Sequence, residues 1–203
     1  MATIDDLFKF YRDECVPAYA DLVGYIVDKP AQFLTEIENA FAHVAQYFNP
    51  EVEPIDKEAN IAKAKDHLIR VTLDSYKLLW SQMDNSLTEV YGDDFKRVHC
   101  VNEAEEKFVS KYHEFKKKAQ EARELEIRYV GVEPLKALDS YKEVIRLGNE
   151  LISKIDPNKI ENSKNVLRVV SFKRSLIELV ISFFGGALAT LFVAFFILGV
   201  HCQ

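Results

Sequence analysis

Glycine and proline are sparse along these 203 residues, seven and six in all, and cysteine occurs only three times. So little punctuation argues against a turn-rich β architecture and for a body of long helices. Cys15, Cys100 and Cys202 form no Cys-x-x-Cys pair and stand in no Cys/His spacing. They offer no zinc site, and they suit a reducing cytosol. Positive charge is also short, with 26 Lys and Arg against 32 Asp and Glu and a net charge of −6. That balance argues against a broad nucleic-acid-binding face, and no DNA partner is expected. No phosphate-binding loop, His-Glu-x-x-His, Gly-x-Ser-x-Gly or glycine-rich dinucleotide turn occurs. Neither a cofactor nor a metal is expected.

What the chain does have is one long uncharged run, Leu179 to Val200. A helix of about 20 apolar residues spans a hydrocarbon core of ~30 Å. A buried core helix of that length would keep a polar face. The expectation is a single transmembrane helix close to the C-terminus. Lys164, Arg168, Lys173 and Arg174 precede it and would lie at the membrane surface, while only His201, Cys202 and Gln203 follow. Lys and Arg stay on the cytoplasmic side, so the body should be cytoplasmic. The start, Met-Ala-Thr-Ile-Asp-Asp, has neither the basic nor the apolar region of a secretory signal, and Cys202 is not placed for prenylation.

Small residues recur inside the run. Gly186, Thr190 and Ala194 stand at four-residue steps, and Glu178, Ser182, Gly185 and Ala189 share one helical face. Membrane helices associate where small residues let backbones approach closely. These seven positions are the expected oligomerisation or pore-lining face, with the lipid bilayer and further copies of the chain as partners.

The expected fold class is all-α: a cytosolic helical bundle over 1–155, a basic juxtamembrane helix over 156–178 and a transmembrane helix over 179–200. Apolar spacing places a helix over Ile4 to Asp28, divided or kinked at Pro17. A second runs from Pro30 to Phe48 with its stripe at Phe33, Ile37, Phe41, Val44 and Phe48. A third spans about Asp56 to Met83, with Ile61, Ala64, Leu68, Val71, Leu78 and Leu79 apolar. Gly92-Asp93-Asp94 marks a turn. A charged helix follows from Asn102 to Tyr129, with Glu103–Lys107, Glu114–Lys118 and Glu124–Arg128 at favourable spacing. The lysines 116–118 read as a solvated face. Gly131 and Pro134 precede a helix over about Leu135 to Lys154, and Asp156-Pro157 starts the last one.

Two polar stripes interrupt the apolar pattern. Glu36, Asn39 and His43 share a face of the second helix. His67, Arg70, Asp74 and Lys77 do so on the third. Antiparallel packing would bring His43 near His67 or Arg70, either as an acid/base pair beside a cation or as a hydrogen-bonded face between helices or subunits.

The segment Glu36-Ile-Glu38-Asn39-Ala40-Phe41-Ala42-His43 resembles the signature helix of HEPN domains, compact helical bundles found in prokaryotic toxins, CRISPR effectors and other anti-phage proteins. Their ribonuclease motif is an Arg, often followed by Asn, then a short spacer and a His. Asn39 and His43 match it with the spacing intact, but Glu38 stands where the Arg should be. In the family the Arg and His of two protomers meet at a dimer interface and cleave RNA without a metal. A carboxylate in place of the Arg would repel the charge that develops on the phosphate. Arg70, on the neighbouring helix, is the one candidate to replace it. With a membrane anchor, the pattern is similar to the small membrane accessory proteins of type VI-B CRISPR systems. That resemblance implies a non-catalytic defence effector that oligomerises in the inner membrane and forms a pore or perturbs its potential, with a CRISPR effector protein or RNA as a further partner. The alternatives are a membrane-tethered HEPN-type ribonuclease, with Asn39, His43 and Arg70 as its weak catalytic candidates, and a tail-anchored helical adaptor. Gly131, Pro134 and Pro157 interrupt any SNARE-like heptad run, and Trp80, in Leu-Leu-Trp-Ser, lacks the Bcl-2 signature around it.

The charge asymmetry makes a direct prediction. A reporter fused ahead of Met1 should be active on the cytoplasmic side of the membrane, and export of that reporter would reverse the topology.

Overall fold

The computed structural model describes residues 3–163. The whole run Leu179–Val200 and the basic residues Lys164, Arg168, Lys173 and Arg174 lie outside the described residues. Among those described, secondary structure is helical apart from one isolated antiparallel bridge, Val101 to Ile155. None of these helices is long and apolar enough to cross a membrane.

Helix α1 (Ile4–Phe10) opens on a reciprocal cap, with the Thr3 hydroxyl accepting from the Asp6 N–H and the Asp6 carboxylate accepting from the Thr3 N–H. It runs without a break through a π-helical segment (Tyr11–Cys15) into α2 (Val16–Ile26). Pro17 explains the segment. A proline has no N–H to donate and its ring crowds the preceding turn, and the wider π turn absorbs both defects. Cys15 is buried on this segment, and burial pushes its thiol up to about 11, with the Thr72 hydroxyl acting the other way. Val27 closes α2 in the left-handed conformation, at φ 56°, with its N–H bonded to the Val23 carbonyl. Asp28, Lys29 and Pro30 then turn the chain into α3 (Ala31–Phe48).

A short loop, 49–53, reverses the chain into α4 (Pro54–Tyr91), a helix of 38 residues. It runs two turns beyond the expected end at Met83. Asp84, Asn85 and Ser86 hide the continuing pattern, but Met83, Leu87 and Val90 keep one face buried. After α5 (Asp94–His99), α6 (Glu105–Tyr129) runs back along the bundle, and a single 3-10 turn (Pro134–Ala137) leads into α7 (Leu138–Ile152). Helices α2 and α3 pack on α4, as does α7, and α6 and α7 form an antiparallel pair. The Asn102 N–H donates to the Lys154 carbonyl at 2.7 Å and ties the two ends of that pair together. The compact unit formed this way is Met1–Ile155. In the unit that begins at Asp156, residues 157–163 are helical, and the Asp156 carboxylate caps the N–H groups of Asn158 and Lys159.

The lysines of α6 are matched locally, whereas the expected Glu124–Arg128 pair does not form. Glu103 meets Lys107 at 2.6 Å as its spacing predicts. Of the lysine run, Lys116 holds Asp84 from α4, and Lys117 and Lys118 both face Glu121. Lys118 therefore pairs forward along the helix instead of back to Glu114.

One carboxylate joins three helices. Glu126 of α6 accepts from Lys77 of α4 at 2.9 Å, from Tyr141 of α7 at 2.6 Å and from Arg123 at 2.6 Å. Burial pushes the Glu126 carboxyl up, but its three donors outweigh that and hold it below the usual range. Burial, reinforced by Glu126, keeps the Tyr141 hydroxyl protonated. A hydrogen bond to a charged group contributes about 1.5–3 kcal/mol, so Tyr141→Phe should destabilise the fold by about that much at neutral pH. The loss should persist above the ordinary glutamate range near pH 4.3 and shrink as pH falls through the lowered pKa of Glu126. Chemical denaturation of both chains across that range checks it, and a pH-independent difference would assign the loss to packing.

Candidate functional site

The short 49–53 loop makes α3 and α4 an antiparallel hairpin, so positions that descend along α3 meet positions that ascend along α4. The two stripes therefore face each other. His43 and His67 stack with ring centroids 5.4 Å apart and planes 23° from parallel. Each imidazole is held from its other side. His43 Nδ1 lies 2.8 Å from Asn60 Oδ1. The Asn60 amide NH2 donates to the Asp56 carbonyl at 2.8 Å, which turns its oxygen toward the ring, so His43 Nδ1 is the donor. His67 Nδ1 lies 2.6 Å from Glu36 Oε2 and donates to it. Arg70 Nη1 stands 3.5 Å from the same carboxylate oxygen.

The cluster is thus Asn60, His43, His67, Glu36 and Arg70 in order across the hairpin. Two of the three catalytic candidates, His43 and Arg70, belong to it. Asn39 does not: it is exposed on the next face of α3, beside the exposed Glu38. Asn60 is the member that sequence reasoning missed. Asn60, His67 and Asp74 stand at seven-residue steps, and that periodicity was the available signal.

The α4 stripe continues past this cluster. Asp74 and Lys77 pair with each other, and Lys77 also reaches Glu126. Burial opposes the charge on Lys77, but Asp74 and Glu126 raise its pKa overall. A cleft of about 320 Å³ opens over this part, lined by Arg70, Asp74, Lys77 and Glu126 and roofed by Val130 to Pro134. No group of three or more His, Cys, Asp or Glu placed to hold a metal ion occurs among the described residues.

Within the hairpin cluster each histidine Nδ1 already has a partner, and Glu36 faces both His67 and Arg70. A phosphate-cleaving site needs a cation free to meet the developing charge. Here Glu36 already stands between His67 and Arg70, and no arginine occupies the position of Glu38. The expected pore-face residues, Glu178, Ser182, Gly185, Gly186, Ala189, Thr190 and Ala194, lie outside the described residues. The chain matches no protein-family model, no curated protein and no solved structure.

The stacked histidines should be coupled. Each of His43→Ala and His67→Ala is expected to cost about 1 kcal/mol, and the double variant should cost less than their sum by about 0.5 kcal/mol or more. Denaturation of the four chains measures this, and additive losses would show that the rings do not interact.

Proposed function

We propose that the chain is a membrane-anchored, non-catalytic effector of the anti-phage, CRISPR-associated kind, whose helical body is held at the cytoplasmic face of the inner membrane while its anchors assemble into homo-oligomers that perturb the bilayer. The observation that carries this reading is the uncharged run Leu179–Val200, with small residues at helical spacing. The HEPN-like segment supplies the defence context. The geometry around that segment supports the non-catalytic form, because His43 is bonded to Asn60 and Glu36 is engaged by both His67 and Arg70. What remains of the motif works as an interhelical fastener, and the activity lies with the anchor.

Replacing small residues by leucine keeps the run apolar and blocks close approach of helices. Gly186→Leu with Ala189→Leu is therefore expected to reduce the detergent-solubilised oligomer to smaller species and to abolish membrane permeabilisation in cells. If oligomer size and permeabilisation are both unchanged, the run is only a tether. Cleavage of RNA by the wild-type chain, lost in His43→Ala, would favour the tethered ribonuclease instead.

A further inference from the structure

The turn between α6 and the 3-10 segment brings three exposed aliphatic side chains together within six residues. Ile127 is 60% exposed, Val130 69% and Val132 75%. The turn is held firmly: the Tyr129 carbonyl accepts from both the Val132 and Glu133 N–H groups, at 3.1 and 3.0 Å, and Gly131 takes φ +74°. Such a backbone holds Val130 and Val132 at the mouth of the cleft over α4 while leaving most of each side chain in water. Around them stand the residue types of a membrane interface. Lys136 Nζ sits 4.2 Å above the Tyr129 ring, and Arg128 is exposed with no carboxylate at ion-pair distance among the described residues. Across 127–136, Arg128 and Lys136 stand against Glu133 alone, a positive balance within a chain of net charge −6. Lys65 and Asp66, in the adjoining groove, offset each other.

We infer that this turn is a second membrane contact, in which Ile127, Val130 and Val132 enter the headgroup boundary of an anionic bilayer while Arg128, Lys136 and Tyr129 lie at headgroup level. The inference rests on the reading that the chain is held at a bilayer. Exposed aliphatics on a rigid turn gain by leaving water, and anionic headgroups attract the flanking cations. Together they would hold the body against the membrane.

The test is a fluorescent probe on the turn. Val132→Cys in a Cys202→Ser chain, where Cys15 and Cys100 are buried, is labelled with an environment-sensitive dye. The full chain is then reconstituted into vesicles of phosphatidylglycerol mixed with phosphatidylcholine. The dye should shift to the blue and be quenched by spin-labelled acyl chains. Phosphatidylcholine vesicles, Arg128→Glu with Lys136→Glu, and Val130→Ser should each lose most of that quenching while the chain still floats with the vesicles. A chain that floats but whose dye stays in water overturns the second contact and leaves the anchor standing. A chain that does not float overturns both. A dye already shielded in detergent, and unchanged on vesicles, overturns it and assigns the turn to a contact between copies.

Discussion

The bundle depends on how α4 is surrounded. From Leu68 to Tyr76 the helix buries Leu68, Ile69, Val71, Thr72, Leu73, Ser75 and Tyr76, a face that wraps roughly 200° of its circumference at 3.6 residues per turn. So wide a buried face is stable only when more than one helix covers it. Helices α2 and α3 cover one flank, and α7, backed by α6, covers the other. Each large aliphatic withdrawn from water contributes about 1.5–3 kcal/mol, far more than helix propensity offers over the same residues. Close approach follows from small side chains. Gly148 of α7 sits where a Cβ would come within 2.7 Å of Met83 Sδ and 3.2 Å of the Phe115 ring.

That arrangement dictates where polar groups go. His67, Arg70, Asp74 and Lys77 occupy the narrow seam of α4 between its two covers. Asp74 and Lys77 are part-buried and need partners there, because an ionic group withdrawn from water without one is costly. Glu36 comes from one side and Glu126 from the other. The Glu126 carboxylate, with three donors from three positions, fixes how α6 and α7 sit on α4 in a way apolar packing alone does not. Removing one donor leaves a buried charge under-compensated, so the network specifies register as well as adding stability.

The fold was largely legible because its signals are local. Apolar spacing located the long helices but not the short α5, and Gly92, Gly131 and Pro134 marked helix ends. The extension of α4 beyond Met83 was not legible, since three consecutive polar residues mask a face that only α7 and α6 reveal as buried. Pro17 announced an irregularity, though not that a π segment would let the helix continue. Of the site, the meeting of His43 and His67 followed from two stripes on an antiparallel hairpin. The Glu126 network did not, because it joins residues 77, 123, 126 and 141, whose convergence is set by tertiary packing alone. Val130 and Val132 read as linker residues. Their significance lies in exposure, which a sequence does not display.

The distribution of charge separates what holds this body together from what faces outward. Along the seam both permanent cations face a carboxylate: Arg70 stands beside Glu36, which also accepts from His67, and Lys77 is held by both Asp74 and Glu126. Opposite charges a few ångströms apart cancel over a Debye length of about 8 Å, so the seam projects little field to a distant ligand. The lysines of α6 are matched in the same manner. The turn after α6 differs on both counts, leaving one arginine uncompensated and presenting aliphatics to water. The polar stripes of α3 and α4 are thus bonded to one another within the hairpin, whereas the turn after α6 keeps Arg128 and its aliphatic side chains toward solvent.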